Sequence, residues 1–256
     1  MTLAYTLDGN GSEPVLALHD WLGDSTNYDA ALPYLDLAVV TLARVDLPGY
    51  GASRELPRCG VGSELDRAVL EVADVLRWRR FHLVAHSMST VIAQRLARSA
   101  VDRIASITLV APVMPGTVLP NEITRSIRAV GGDPNLRRGA LGAQWGTRLS
   151  SRWLDFKLAR WAETSDPAAV AMYVDLFAQP ELATTRAETG VPVQVITGAY
   201  DAPHFRREAV EASISAVYPD AEFEEIASSS HYPMQETPPL FASRVEAFVR
   251  RNSIGR

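Results

Sequence analysis

Short apolar runs closed by turn residues alternate along much of the chain with longer stretches of helical periodicity. The apolar runs predict strands at 15–18, 38–42, 81–85, 104–110 and 193–197, and a further strand is predicted at 222–226. The intervening stretches predict helices at 63–78, 88–100, 205–217 and 238–250. Buried strands that alternate with helices are typical of a parallel sheet covered on both faces. The sequence therefore predicts an α/β protein with a mostly parallel, twisted sheet flanked by helices.

Residues 114–189 interrupt this alternation with helical pieces rich in Arg, Ala and Trp and without a clear strand. We interpret 114–189 as a helical lid inserted above the sheet, and 1–113 together with 190–256 as the core. Trp145, Trp153 and Tyr173 are the aromatic residues that we expect to bind the apolar part of a substrate. The alternative is that these aromatic rings only pack the helices against one another.

The composition excludes several classes of function. The chain has 256 residues, 47% of them hydrophobic, and a formal net charge of −5, which gives no electrostatic reason to expect nucleic acid as a partner. No apolar run is long enough to span a membrane, and the first residues lack the pattern of a signal peptide. A cytoplasmic protein that acts on a small molecule is the expectation, and the oligomeric state stays open. Cys59 is the single cysteine, and no residue cluster has the spacing of metal ligands or of a cofactor-binding loop, so no cofactor is expected.

One serine stands where a buried strand passes into a helix. Ser87 follows the strand at 81–85, and the small residues Ala85 and Ser89 lie two positions before and after it. A sharp strand-to-helix turn of this kind exposes a serine hydroxyl above the edge of the sheet. The following helix would aim the backbone amide of Met88 at the reacting centre, where it can bind an oxyanion. The alternative is that Ser87 only caps the helix.

A hydroxyl becomes an effective nucleophile when a histidine takes its proton and a carboxylate orients that histidine. Asp201 and His231 each follow a predicted strand, in the chain order serine, acid, histidine. Since only one strand and one helix separate them, parallel pairing predicts that their loops lie side by side. We therefore predict a catalytic triad of Ser87, Asp201 and His231.

The other histidines are weaker candidates for the base. His86 is the neighbour of the serine and is expected to form local contacts under the turn. His204 follows Asp201 in the same loop and is the main rival of His231, although an exposed loop position is the expectation for it. His19 ends a predicted strand but precedes the serine in the chain.

Five segments together resemble the α/β-hydrolase family, over most of the chain outside the insertion. They are Leu16–Trp21, Asp46–Ser53, Ala85–Ser89, Gly198–Asp201 and His231–Pro238. They are similar, in that order, to the family's oxyanion loop, its Asp-Xaa-Xaa-Gly-Xaa-Gly-Xaa-Ser loop, its nucleophile turn, and its acid and histidine loops. The resemblance implies that the backbone amide of Trp21 is the second oxyanion donor, beside that of Met88.

Three positions depart from the family pattern. Asp20 replaces a glycine of the oxyanion loop, and Ala85 and Ser89 replace the two glycines of the nucleophile turn. A carboxylate at position 20 would oppose an oxyanion unless its side chain turns outward. The departures leave the fold expectation intact and weaken the expectation of efficient ester hydrolysis.

The resemblance, with serine at position 87, implies acyl chemistry, and three hypotheses follow. The leading one is hydrolysis of a small-to-medium apolar ester or lactone through an acyl-enzyme. The second is a non-hydrolytic enzyme of the same fold, such as a carbon–carbon hydrolase, a lyase or a cofactor-free dioxygenase acting on a cyclic natural product. The third is a receptor that binds a ligand with little turnover.

Overall fold

A computed structural model of the protein describes residues 2–57, 59–114, 117–145, 149–178, 182 and 190–255, without the side chains of residues 144 and 145. It contains a seven-stranded sheet in the order β1-β3-β2-β4-β5-β6-β7. The strands are β1 (Tyr5–Asp8), β2 (Glu13–Leu18), β3 (Val40–Val45), β4 (Phe81–His86), β5 (Ile104–Val110), β6 (Val193–Gly198) and β7 (Glu222–Ile226). Only β1 pairs antiparallel, against β3, and the other neighbours pair in parallel.

The mostly parallel sheet is confirmed, with two differences at its first strands. β3 begins at Val40 instead of residue 38, because Asp36 accepts hydrogen bonds from the backbone of Ala38 and Val39 and closes a turn there. β1 was missed, since it is a short strand at the edge of the sheet and none of its residues is fully buried. Its pattern therefore lacks the apolar run that marks the central strands.

Helices cover the sheet between its strands. They are α1 (Ser63–Val75), α2 (Thr90–Ser99), α7 (Arg207–Val217), α8 (Pro233–Glu236) and α9 (Pro238–Arg251). α1 ends three residues before the predicted boundary because Arg77 adopts a left-handed backbone, with φ of 59°. The amide of Trp78 then donates back to the carbonyl of Ala73 at 2.8 Å, a contact that closes the end of a helix.

The described part of 114–189 is helical, in agreement with the predicted character of this stretch. It contains α3 (Asn121–Ala129), α4 (Pro134–Trp145), α5 (Ser151–Thr164) and α6 (Pro167–Tyr173), which we call the inserted helices. The boundaries at 114 and 189 stay a prediction, because residues 179–181 and 183–189 lie outside the described residues.

The inserted helices pack on loops that follow the carboxyl ends of β2 and β3. The indole N–H of Trp21 donates to the carbonyl of Val170 at 2.8 Å, and the carbonyl of Gly49 accepts from the amide of Asp166 at 2.8 Å. A Cβ on Gly49, whose φ is +86°, would lie 2.1 Å from the Cβ of Ala169. Glycine at this position therefore lets α6 approach the backbone of the loop.

No helix in the described ranges is long and apolar enough to cross a membrane.

The loops after β6 and β7 can touch because Gly198 has no side chain between them. A Cβ on Gly198, the last residue of β6, would lie 2.0 Å from the carbonyl oxygen of Ser230. Backbone hydrogen bonds from Ala199 to Ile226 and from Tyr200 to Ser229 join the same two loops. Residues that follow β6 and β7 are thereby brought into contact.

Replacing Gly198 with alanine is expected to lower the free energy of unfolding by about 1–3 kcal/mol, because the added methyl group overpacks a backbone contact. Urea denaturation followed by circular dichroism measures this change. The matched control is Gly142→Ala in α4, where an added Cβ would meet nothing within 4 Å. That control is expected to raise the free energy of unfolding by about 0.5–1 kcal/mol, from helix propensity alone. Equal effects of the two substitutions would contradict the packing argument.

Candidate active site

The turn that carries Ser87 has the strained geometry expected between β4 and α2. Ser87 has a φ of 50°, which is unusual for a residue with a side chain, and it opens a short 3-10 turn at 87–89. The hydroxyl of Ser89 accepts from the amide of His86 at 3.0 Å and donates to the carbonyl of Leu18 at 3.0 Å. Serine in place of glycine at position 89 therefore adds hydrogen bonds that hold the turn against β2.

Asp201 and His231, predicted as partners, are joined in the structure. Nδ1 of His231 lies 2.7 Å from Oδ2 of Asp201, and both residues are 0% exposed. The other carboxylate oxygen of Asp201 accepts from the amide of Ala202 at 2.7 Å. Since a carboxylate only accepts, Nδ1 carries the proton and Nε2 of His231 is left without one. A neutral imidazole with a free Nε2 is the form that a general base requires.

The charges around His231 make it more basic than an ordinary histidine. Burial alone would lower its pKa, but the carboxylate of Asp201 and its hydrogen bond, with further contributions from Asp20 and Glu236, outweigh burial and raise the pKa. These neighbouring carboxylates therefore favour the protonated form of the imidazole.

Ser87 and His231 are brought into the same region without a hydrogen bond between them. Nε2 of His86, next to Ser87, lies 2.8 Å from the carbonyl oxygen of His231, and the two imidazole rings are 5.1 Å apart. Nε2 of His231 has no hydrogen-bond partner among the described residues, and Ser87 is 3% exposed. The serine turn thus contacts the histidine loop through His86, whose ring reaches a distant segment instead of making only the local contacts expected of it.

The two predicted oxyanion donors follow β2 and β4. Met88 is the second residue of the 3-10 turn, so its amide has no acceptor within that turn. The amide of Trp21 donates no hydrogen bond to another residue that the structure describes. The carbonyl of Trp21 accepts from the hydroxyl of Tyr50 at 3.1 Å, which fixes this loop on the β3 side.

Asp20 does not turn outward, because its side chain is 1% exposed. Its carboxylate accepts from the amide of Leu22 at 3.1 Å, from the hydroxyl of Tyr232 at 2.8 Å and from the side-chain amide of Asn27 at 2.5 Å. Burial opposes its ionisation, but His86, Lys157, His231 and the Tyr232 hydroxyl outweigh burial and hold the pKa of Asp20 at about 2. Asp20 is therefore a buried anion that contacts the loop of His231.

Glu236 is a further residue that the sequence pattern did not single out. Its carboxylate accepts from the amide and the hydroxyl of Ser230 at 2.9 and 2.6 Å and from the amide of Tyr232 at 2.9 Å. It therefore clamps the backbone on both sides of His231. The signal available was its position inside the stretch from His231 to Pro238, which the family resemblance had already marked.

The three aromatic residues predicted to bind substrate have different surroundings. The side chain of Trp145 lies outside the described residues. Trp153 is half-buried, packs its ring edge-on at 5.4 Å from Tyr232 and lines a cleft of about 220 Å³ that Phe156 and Gln235 also border. Tyr173 is fully buried with its ring 5.4 Å from that of Tyr50, and its hydroxyl has no partner among the described residues.

His204 and His19 do not take the position of a base. His204 is exposed and stacks on Phe205 at 4.3 Å, while the Asp201 carboxylate bonds to His231. His19 is buried and bridges two backbones: its Nδ1 donates to the carbonyl of Asp20 at 2.7 Å and its Nε2 accepts from the amide of Leu47 at 3.1 Å. His19 thus connects the loops that follow β2 and β3.

No group of three or more His, Cys, Asp and Glu side chains in the described parts of the chain is arranged to hold a metal ion.

The buried His86 predicts a pH dependence of stability. Burial lowers its pKa from 6.5 to about 3, against the opposing charge of Asp20. Between these two pKa values the unfolded chain binds more protons at position 86 than the folded protein does. The contribution of neutral His86 to the free energy of unfolding is therefore present above pH 6.5 and is lost as the pH falls towards 3. We expect the free energy of unfolding of His86→Gln to fall less steeply than that of the wild type as the pH drops from about 7 to about 4.

Urea unfolding at a series of pH values measures this difference. Wild-type and His86→Gln curves that stay parallel over this range would contradict the argument.

Several curated relatives match parts of the chain, among them two from bacteria. It is 34% identical over 107 residues to the dihydrolipoyllysine-residue acetyltransferase component of the acetoin cleaving system of Pseudomonas putida, covering 42% of this chain and 29% of that protein. It is 37% identical over 103 residues to the pimeloyl-[acyl-carrier protein] methyl ester esterase of Nitrosomonas europaea, covering 40% of this chain and 38% of that protein. The matched segments thus span about a third of the relatives' length.

A solved structure is similar over almost the whole chain. The bromoperoxidase of Bacillus anthracis superimposes with a TM-score of 0.82 at 17% identity, covering 96% of this chain and 94% of that one. At this identity the likeness shows the fold. A model of the alpha/beta hydrolase family matches residues 15–244, which include all five segments of the resemblance up to the end of the histidine loop. The chain therefore belongs to the alpha/beta hydrolase family.

Proposed function

We propose that this protein hydrolyses a small-to-medium apolar carboxylic ester or lactone, with Ser87 as nucleophile, His231 as base and Asp201 as the acid that orients it. The observation that carries the proposal is the 2.7 Å hydrogen bond from Nδ1 of His231 to Asp201, which leaves Nε2 free beside the serine turn. The positive φ of Ser87 supports the same role, because strain of this kind gathers at functional residues.

In the proposed reaction the hydroxyl of Ser87 attacks the substrate carbonyl while Nε2 of His231 takes its proton. The amides of Met88 and Trp21 donate to the oxyanion that forms, and Asp201 stabilises the imidazolium. The imidazolium then protonates the leaving alcohol, and an acyl group remains on Ser87. A water molecule, deprotonated by His231, attacks this acyl-enzyme and releases the acid and the free serine.

The inserted helices serve as a lid in this proposal. Ser87 is 3% exposed and His231 is 0% exposed, so a substrate reaches them only after part of the covering structure moves. Trp153 and Tyr173 lie on this cover, as does Trp161, which packs edge-on to Trp21 at 5.9 Å. Aromatic rings next to an oxyanion loop favour an apolar substrate.

The relatives support hydrolysis as the class of reaction but do not identify the substrate. One of the two is named as an ester hydrolase, and it matches 40% of this chain. The family membership agrees with a hydrolase, while the choice of an apolar ester rests on the aromatic residues of the inserted helices.

A second candidate is base catalysis without an acyl-enzyme, as in non-hydrolytic enzymes of this fold. It is favoured by one observation: the free Nε2 of His231 has no hydrogen bond to the Ser87 hydroxyl. In that case His231 would abstract a proton from a cyclic substrate directly. The two candidates differ in their need for Ser87.

Ser87→Ala and His231→Gln are each expected to lower kcat/KM for a model aryl ester such as p-nitrophenyl butyrate by about 10⁴-fold or more, because triad residues act as a unit. Release of p-nitrophenol measures the rate, and circular dichroism checks that each variant is folded. The matched control is His204→Gln, which changes an exposed histidine of the neighbouring loop and should keep the wild-type rate.

Unchanged ester hydrolysis by Ser87→Ala would remove Ser87 from the mechanism. Loss of activity in His231→Gln alone would then support the second candidate.

A further inference from the structure

We propose that Asp20 is a positioning residue of the candidate active site and that Lys157 of α5 is its counter-ion. The packing of the inserted helices on the core would then affect the charge around His231. This inference rests on the proposed function for its kinetic consequence. The glycine that the family carries at this place could form none of the side-chain contacts involved.

The carboxylate of Asp20 joins three segments around the site. It accepts from the amide of Leu22, one residue beyond the predicted oxyanion donor, at 3.1 Å. It accepts from the hydroxyl of Tyr232, next to His231, at 2.8 Å. It also accepts from the side-chain amide of Asn27, in the 3-10 segment that follows the oxyanion loop, at 2.5 Å. One buried group thereby fixes the oxyanion loop relative to the histidine loop.

Asn27 connects this carboxylate to the inserted helices. Its side-chain oxygen accepts from Nζ of Lys157 at 2.7 Å, while its side-chain nitrogen donates to Asp20. The carboxamide of Asn27 therefore lies between the anion and the cation and forms a hydrogen bond with each. Nζ of Lys157 also lies 4.7 Å from the ring centre of Tyr232, a cation–π contact with the same residue that donates to Asp20.

Both charges are inside the protein, and this makes them dependent on one another. Asp20 is 1% and Lys157 is 2% exposed. A buried charge is costly unless a partner of opposite sign or several hydrogen bonds compensate it. Burial lowers the pKa of Lys157, and the carboxylates of Asp20 and Asp24 oppose that change. α5 therefore supplies the positive charge that compensates Asp20, and the carboxylate of Asp20 in turn stabilises the packing of α5 on the core.

Charged and titratable groups face His231 from every element packed around it. They are Asp201 and His204 after β6, Asp20 after β2, His86 at the end of β4 and Glu236 in α8, while Lys157 of α5 lies over the ring of the neighbouring Tyr232. The negative charge of Asp20 contributes to the raised pKa of His231. Removing that charge should make His231 a weaker base, and removing Lys157 should leave Asp20 uncompensated and have the opposite effect.

The test compares Asp20→Asn, Lys157→Met and the double variant with the wild type. The titration of the His231 imidazole is followed by NMR, with His231→Gln used to assign its resonance. Asp20→Asn is expected to move this titration to lower pH and Lys157→Met to move it to higher pH, while the double variant returns towards the wild type. A group that only fills space would not produce shifts of opposite sign.

Arg160→Gln is the matched control. Arg160 also lies on α5 and its guanidinium pairs with Asp24 at 3.0 Å, so the substitution removes a cation from the same helix without touching Asp20. It is expected to leave the titration of His231 unchanged. Hydrogen exchange over residues 151–164 should accelerate in Asp20→Asn, because Lys157 loses its counter-ion. Asp20→Gly, which places the family's residue there, replaces Asp20→Asn if the latter does not fold.

Kinetics provide the second readout. Since His231 acts as a base only when neutral, kcat/KM rises with pH through its pKa. The acid limb of this profile should therefore move to lower pH in Asp20→Asn and to higher pH in Lys157→Met. The plateau value should fall about 100-fold in Asp20→Asn, as expected when reacting groups lose their alignment.

The NMR titration of His231 does not depend on catalytic turnover. The proposed function and the role of Asp20 and Lys157 can therefore be contradicted independently of each other. Absence of any ester hydrolysis, with the opposite shifts still present, would overturn the proposed function alone. An unmoved titration in Asp20→Asn or Lys157→Met, or shifts of the same sign in both, would overturn the role of Asp20 and Lys157.

Discussion

The hydrogen bond between Asp201 and His231 depends on a close fit between two neighbouring loops. β6 and β7 pair in parallel, so the chain leaves both strands at the same edge of the sheet. Gly198 then lets the two loops touch, since a side chain there would collide with the backbone of Ser230. Glu236 holds the histidine loop from its far side through three hydrogen bonds. The proton acceptor of the proposed reaction is thus positioned by backbone packing before any substrate contact.

Around this pair the protein buries two further charged groups, Asp20 and Lys157, and the imidazole of His86. Each of them affects the pKa of a neighbour. Such an arrangement is stable only when every member keeps its partner, because a single unpaired charge in the interior is costly. In the proposed arrangement the inserted helices contribute one of those partners, Lys157. The packing of these helices and the charge around His231 would therefore depend on each other.

Much of the fold was predictable because the central strands are buried on both faces. β5 and β7 were predicted with the bounds that the structure has, and the chain order of Ser87, Asp201 and His231 predicted which strand ends carry them. The apolar run was enough for β5, whereas β7 lies at an edge of the sheet and mixes three glutamates with two apolar residues. β1, at the other edge, was missed because its four residues form no apolar run. The burial of Asp20 was not predictable, because sequence spacing does not reveal that Asn27 and Tyr232 offer donors to its carboxylate.

The sequence by itself determined the α/β architecture, the strand ends that bear the serine, the acid and the histidine, and the helical character of the stretch after β5. These follow from local periodicity and from chain order, which act over a few residues. Only the tertiary structure decided that Asp201 bonds to His231 and not to His204, that Asp20 is buried, and that Lys157 of α5 reaches it through Asn27. The contacts of His231 with Asp201 and of Lys157 with Asn27 join residues 30 and 130 positions apart, and these partners are chosen by packing and by the cost of leaving a buried polar group unpaired.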